Sequence, residues 1–321
     1  MRKILVYGFY NKGSIGDELF VDAFKQLFNY ELIFIDRFTI KNLQQVDSVF
    51  IGGGSFLYSN LIIDADAIDI LKQKKIFYIG VGPETKIHPI HIGLLSIAKL
   101  VAIRSSVNID YIKTLNNNVI VMPDLVYYLQ PHIQKKIPNN KTILFLPNIH
   151  VVPQNNDPQW KFAAWNYFKS EFSQFLDSLV DAGYSIETFA MCQNSKDNDY
   201  WAGTEIMNQM NKRKDNFFKF MVRDITTLSS IMSKYETIIT QRFHGIVLSE
   251  MTKTPYLAIC HHDKLKYHSP SNGIFLSFYG INKETLMRGF EQTKKIKFEQ
   301  KIDLKIFNKL QNSISKLIEE E

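Results

Sequence analysis

The chain has 321 residues, 45% hydrophobic and 22% charged, a balance that builds a packed core in one large domain or two of ordinary size. Its net charge of +6 is spread along the sequence, with no basic, aromatic-interleaved module, which argues against nucleic acid and for a small or polymeric anion. Two cysteines, Cys192 and Cys260, exclude a disulfide framework and a cysteine-based zinc site and fit a reducing compartment.

The first apolar run, residues 3–8, reads as a strand. It is too short for a signal peptide, and no later stretch reaches the length of a membrane span, so a cytoplasmic protein is expected. A glycine-bearing turn, NKGSIG, leads to a helix from Asp17 with Leu19, Phe20, Ala23, Phe24 and Leu27 on one face. Apolar runs follow at 32–35, 48–51, 76–81, 100–103 and 119–122, separated by helical or loop segments. Alternation of this kind predicts a parallel sheet with helices on both faces.

Residues 131–141, PHIQKKIPNNK, break the pattern and read as a linker. A second series begins at 142–146. It continues with a helix that buries Phe168, Phe172, Phe175, Leu176 and Leu179 and ends near Gly183. Strands are expected at 184–190, 217–222, 237–240 and 256–260, and a polar surface excursion at 193–215. Ile302, Ile306, Leu310, Ile314 and Leu317 recur at helical spacing as an amphipathic C-terminal helix. The expected fold class is α/β, with two Rossmann-like domains facing each other across a cleft, GT-B-like. The N-terminal domain takes residues 1–136 and the C-terminal domain 137–321.

In open α/β sheets ligands bind beyond the carboxyl ends of the strands, so the strand-to-helix junctions carry the candidate residues. The segment TIITQRFHGIVLSEMTKTPYLAICHHDK puts Arg242, His244 and Gly245 at one such junction. Arg242 can grip a carboxylate or phosphate with two parallel hydrogen bonds. His244 is the natural proton donor, because the unperturbed pKa of a histidine side chain lies near neutrality. The helix beginning there offers unpaired amides and a positive dipole end, and Gly245 allows close approach to the backbone. Lys264, after the next strand, is a further anion contact, and Arg104 follows the strand at 100–103.

Three glycine-bearing loops lie at the same edge. Gly16 and Asp17 belong to a loop that matches neither a dinucleotide fingerprint nor a P-loop. Gly53, Gly54 and Ser55 form an amide-rich loop that holds sugar hydroxyls or phosphate oxygens, or is a sharp turn. Gly80 and Gly82 form the third. Asp124 reads as a helix cap. Trp160 and Trp165 serve either sugar stacking or helix packing. His261, His262, Asp263 and His268 match no metal-ligand spacing, so no metal is expected.

On these residues the chain resembles the polysaccharide pyruvyl transferase family over most of its length. GSIGDELF is similar to that family's Asn-Ile-Gly-Asp-Glu stretch, with Ser14 standing where the family usually has asparagine. IGGGSFL, YIGVGP and VAIRSSVNIDYIKTL…VMPDLVYYL follow in the family's order. ITQRFHGIVLSEMTKTPYLAICHHDKL resembles its Arg-x-His-Gly helix, strand and Asp-Lys ending.

The resemblance implies a transferase that moves the pyruvyl group of phosphoenolpyruvate onto a hydroxyl pair of a saccharide, or of a lipid- or nucleotide-linked precursor, as a pyruvate ketal. It implies donor contacts from Arg104, Arg242, Gly245 and Lys264, with His244 as the acid. Contacts to the acceptor or its loops would come from Gly16, Asp17, Gly53, Gly54 and Ser55 on the N-terminal side. Phosphoenolpyruvate is a co-substrate, and no cofactor is implied. Two other readings stay open on the same scaffold: a nucleotide-sugar glycosyltransferase and a non-catalytic glycan-binding protein. The sequence is compatible with an oligomer and does not specify one.

Overall fold

The structure, a computed structural model, describes residues 2–82, 86–129, 139–148, 157–194, 198–212, 218–219, 224–260, 265, 272–298 and 302–320. Its N-terminal half runs β1 (Lys3–Tyr7), α1 (Ile15–Leu27), β2 (Glu31–Ile35), α2 (Ile40–Leu43), β3 (Ser48–Gly54), α3 (Ile68–Lys72), β4 (Lys75–Val81), α4 (Pro89–Ile97), β5 (Leu100–Ile103), α5 (Ile109–Leu115) and β6 (Val119–Val121). The C-terminal half runs β7 (Asn139–Leu146), α6 (Pro158–Asp181), β8 (Ser185–Phe189), α7 (Asp199–Gln209), β9 (Phe218–Lys219), α8 (Ile225–Met232), β10 (Tyr235–Thr240), α9 (Phe243–Thr252), β11 (Tyr256–Cys260), β12 (Ile274–Ser277), α10 (Lys283–Thr293) and α11 (Lys305–Glu319).

Each half holds one six-stranded sheet, in the orders β2-β1-β3-β4-β5-β6 and β9-β8-β7-β10-β11-β12. The strand pairs are parallel. This is the doubly wound architecture that continuous apolar strands separated by helices predict. The order reverses between β1 and β3 in the first sheet and between β7 and β10 in the second. Ligand crevices open at such reversals, and here the two face one another.

Helix α1 forms as its pattern dictates, with Leu19, Phe20, Ala23, Phe24 and Leu27 fully buried. Helix α6 buries Phe168, Phe172, Phe175, Leu176 and Leu179. It is capped by Asp157, which accepts from the Gln159 amide, and ends at Gly183 in the left-handed region at φ +86°.

Four sequence expectations are corrected. Strand β3 does not stop at 51: it continues through the glycines, pairing Gly52 with Ile79 and Gly54 with Val81. A Cβ on Gly52 would overlap the Ile79 carbonyl, so glycine lets the sheet continue. The segment read as a surface excursion contains α7, whose first residue, Asp199, is fully buried. The edge strand β12 carries no alternating signature and was not anticipated. Strand β7 begins at Asn139, inside the segment read as a linker.

The last helix, α11, lies in sequence within 137–321 but packs on the N-terminal half. Phe307, Leu310, Ile314 and Ile318 are buried in one cluster with Ile4, Val6, Leu27 and Phe28. The Phe307 ring lies 5.5 Å from Tyr128, and the Tyr30 hydroxyl donates to Ser315 at 3.2 Å. Arg2 and Lys75 donate to the Ile318 carbonyl, satisfying the helix end. Each fully buried apolar side chain contributes roughly 1.5–3 kcal/mol, so α11 is held firmly on the N-terminal half. Among the described residues no helix is long and apolar enough to cross a membrane.

Candidate functional site

A cleft of about 410 Å³ opens between the sheets, where the order of each reverses. Arg104, Arg242 and His244 line it together, and so do Gly16, Asp17, Gly53, Gly54 and Ser55. Side chains that the sequence placed at separate strand ends therefore share one cavity.

Arg242 sits in extended backbone as the N-cap of α9. Its amide donates to the Thr240 hydroxyl, which in turn donates to the Arg242 carbonyl, each at 3.0 Å. This tight turn fixes where the guanidinium starts. Its Nε lies 3.0 Å from both carboxylate oxygens of Asp199, and its Nη2 also meets that carboxylate. Asp199 is itself held by the amides of Met191 and Cys192, at 3.0 and 2.8 Å. A buried carboxylate is tolerated only with such a full set of partners.

Arg104 is built on the same plan from the other half. Its Nη1 donates to Asp124 at 2.8 Å, its Nη2 to the Ser55 hydroxyl, and its guanidinium lies 4.1 Å from the Phe243 ring centroid. The last contact is a cation–π stack across the cleft, since Phe243 begins α9. A Cβ on Gly82 would crowd the Arg104 guanidinium, so the third glycine loop serves to make room for this side chain. Asp124 does cap the following turn, accepting from the Val126 amide at 3.0 Å. It also does more: its other oxygen holds Arg104, and His244 Nε2 lies 3.9 Å away.

The His244 ring rests on the first turn of α1. A Cβ on Gly16 would overlap it, and the Phe20 ring meets it edge-on at 5.4 Å. The two halves are joined alongside by backbone bonds from Ile15 to the Met191 carbonyl and from Gln193 to the Gly13 carbonyl, at 2.9 and 3.0 Å. The imidazole is thus fixed between α1, Asp124 and the cleft.

Gly245 is a correction. It does not border the cleft; a Cβ there would overlap the Thr240 hydroxyl and press on Leu146, so its smallness serves the packing of α9 on the strand ends. Lys264 lies outside the described residues, as do His261, His262, Asp263 and His268. Among the described residues no group of three His, Cys, Asp or Glu side chains could hold a metal ion. Trp165 stacks on Phe168 at 5.9 Å and donates to Glu205, which gives it a packing role.

Sequence reasoning missed Asp199, which it placed in a surface segment, and Phe243, to which it gave no role. It also missed Gln241, whose fully buried side chain accepts from the Asn148 amide at 2.7 Å and ties the ends of β7 and β10. The one available signal for Asp199 was its place after Asn198, which caps α7. Chemically, two guanidiniums held by buried aspartates, with an imidazole lining the same cleft, can fix a small multiply charged anion and hand it a proton.

A family model described as polysaccharide pyruvyl transferase matches residues 15–262. No curated protein shows a significant match. Among solved structures, the UDP-GlcNAc 2-epimerase of Methanocaldococcus jannaschii is similar with a TM-score of 0.62 and 12% identity, over 98% of this chain and all (100%) of that one. MnaA of S. aureus, in a co-structure with UDP, is similar with a TM-score of 0.58 and 12% identity, over 91% of this chain and 87% of that one. UDP-N-acetylglucosamine 2-epimerase of Rickettsia bellii follows with a TM-score of 0.55 and 11% identity, over 99% and 95%. At these identities the likeness is one of fold, two facing parallel-sheet domains of GT-B-like arrangement.

Proposed function

Because the chain belongs to the polysaccharide pyruvyl transferase family, we propose that it moves the pyruvyl group of phosphoenolpyruvate onto two hydroxyls of a sugar, forming a cyclic ketal and releasing phosphate. The observation that carries this reading is that Arg104 and Arg242, one from each sheet, border the same cleft as His244. Phosphoenolpyruvate bears a carboxylate and a phosphate on one carbon skeleton, and two forked cations at fixed positions match that pair.

In this mechanism His244 protonates the methylene carbon, which becomes the methyl group. The first sugar hydroxyl bonds to the central carbon and returns its proton to the imidazole. The second hydroxyl then displaces phosphate from the same carbon and closes the ring, its proton leaving with the phosphate. Asp124, 3.9 Å from His244 Nε2, offsets positive charge on the imidazole before transfer. The reaction transfers no net electrons, so it calls on no redox cofactor. Only two cysteines in 321 residues suit the cytoplasmic setting in which this donor is available.

The test is to incubate the protein with phosphoenolpyruvate and candidate glycans, following phosphate release and the mass of the glycan. Thermal shift with phosphoenolpyruvate against a panel of nucleotide sugars runs in parallel. Stabilisation by phosphoenolpyruvate together with a ketal-bearing product is expected. Stabilisation by nucleotide sugars alone would overturn the reading.

A further inference from the structure

We infer that Gln241 holds the phosphate of phosphoenolpyruvate through its side-chain Nε2, and that this contact sets the polarity of the bound molecule. The phosphate then lies on the C-terminal wall of the cleft beside Arg242, and the carboxylate lies at Arg104. The identity of the anion rests on the pyruvyl-transfer reading; the amide that meets it is read from the cleft wall.

Gln241 directly follows β10, where the order of the second sheet reverses, and it lines the cleft although its side chain is fully buried. Its backbone amide donates to the Leu146 carbonyl at 3.0 Å, and its side-chain Oε1 accepts from the Asn148 amide at 2.7 Å. A backbone N–H can only donate, so the atom facing Asn148 is the oxygen, and the orientation of the side-chain amide is settled. The remaining atom, Nε2, is buried and has no hydrogen-bond partner among the described residues. Thr188, Thr204 and Ser229 carry such atoms too, but outside the cleft lining.

A buried N–H without a partner is costly, and native proteins keep few of them. Here the side chain is clamped from β7 on one side and its own strand on the other, at the point of the sheet where ligands gather. A group fixed in this way loses little freedom on binding. Being a donor only, it takes an acceptor oxygen of the ligand.

The surroundings make that oxygen anionic. Arg242 is the next residue, and the positive end of α9 begins there. Shape then separates the two anionic groups of phosphoenolpyruvate. A carboxylate presents two oxygens in one plane, which a single guanidinium fork satisfies. A phosphate ester presents three terminal oxygens in a tetrahedral spread, so a fork leaves one over for a further donor. Gln241 supplies that donor beside Arg242. Arg104, stacked on Phe243 and the less exposed of the two cations, suits the smaller planar group.

The test is titration calorimetry of the full-length protein with inorganic phosphate, pyruvate and phosphoenolpyruvate. A hydrogen bond to a charged group corresponds to roughly ten- to a hundredfold in affinity, so Gln241→Met should weaken phosphate and phosphoenolpyruvate by about that factor and leave pyruvate unchanged. Gln241→Glu keeps an oxygen for the Asn148 amide and replaces the N–H with an acceptor, so at pH 8 it should weaken phosphate at least as much. An equal loss for pyruvate would make Gln241 a tie between strands and nothing more. That result, an unchanged phosphate affinity in both variants, or a wild type that binds no phosphate overturns the inference. A crystal structure of the wild type with inorganic phosphate gives a measurement that does not depend on how the variants fold. A phosphate oxygen within hydrogen-bond reach of Gln241 Nε2 is expected, and phosphate at Arg104 instead overturns the polarity. Phosphoenolpyruvate binding that is indifferent to Gln241 overturns this inference and leaves the pyruvyl-transfer reading standing. Gln241-dependent phosphate binding without any response to phosphoenolpyruvate supports the contact and overturns that reading.

Discussion

The N-terminal half ties Arg104 to Asp124 and Ser55 and stacks it on Phe243 of the opposite half, leaving the side chain 5% exposed. The C-terminal half ties Arg242 to Asp199 and leaves its side chain 17% exposed. Both place an arginine just past a strand end and anchor it on a fully buried aspartate. They differ in how far the cation is committed to the protein. Arg104 is a cross-strut between the halves as well as a cleft cation, whereas Arg242 keeps more of its surface for a ligand. One device repeated in two sheets therefore divides its labour, and each half of the comparison can be broken separately.

The largest effect is expected where the halves meet. His244→Ala should lower turnover by ~10²–10⁴-fold, the usual range for a positioned acid, while phosphoenolpyruvate still stabilises the protein in a thermal shift. Wild-type turnover in that variant would remove His244 from the chemistry. Next come the anchors. Removing one partner of a buried pair costs about 3–5 kcal/mol. Asp124→Ala should sit at the upper end because Arg104 is the more deeply buried, and Asp199→Ala at the lower end because Arg242 is the more exposed. Denaturant midpoints measure both. Equal losses would show that the difference in burial carries no energetic weight.

The same contrast explains what was legible in the sequence. Apolar runs separated by helices gave both parallel sheets, and the rule that ligands gather at strand ends brought Arg104, Arg242 and His244 forward. Their aspartates were not legible, because a buried carboxylate looks like a surface one until its partner is known. Asp199 lies 43 residues from Arg242, and its place after the capping Asn198 marks a helix start without showing that it supports a cation. Gly245 misled for a related reason: glycine after an arginine and a histidine suggests close ligand approach, and here it answers to Thr240 and Leu146 within the protein. Helix α11 was read correctly as amphipathic, but an apolar stripe does not say which core it covers.

A smaller change tests the open side. Arg242→Ala should weaken phosphoenolpyruvate binding by the value of a charge-assisted contact, about 1.5–3 kcal/mol, roughly ten- to a hundredfold in affinity by titration. Both variants also leave a buried aspartate without its arginine and so lose stability, Arg104→Ala the more because it removes the strut as well as the cation. Equal losses of stability in the two variants would end the division of labour.

The smallest effect concerns acid and falls on the N-terminal half. His91, on α4, is fully buried with its Nδ1 3.0 Å from the Tyr78 hydroxyl and its ring 5.9 Å from Phe56, the neighbour of Ser55 that holds Arg104. Burial penalises the charged imidazole and lowers its pKa to about 4. The folded protein therefore declines a proton that the unfolded chain accepts below its ordinary value near 6.5, and stability falls as pH drops from there towards 4. At pH 5.5 the loss from this group is on the order of 1 kcal/mol relative to pH 8. His91→Gln cannot titrate, so the stability gap between wild type and variant should narrow by that amount between pH 8 and 5.5 in denaturant unfolding. A gap independent of pH would mean that His91 is not held neutral, and that acid does not single out the loop behind Arg104.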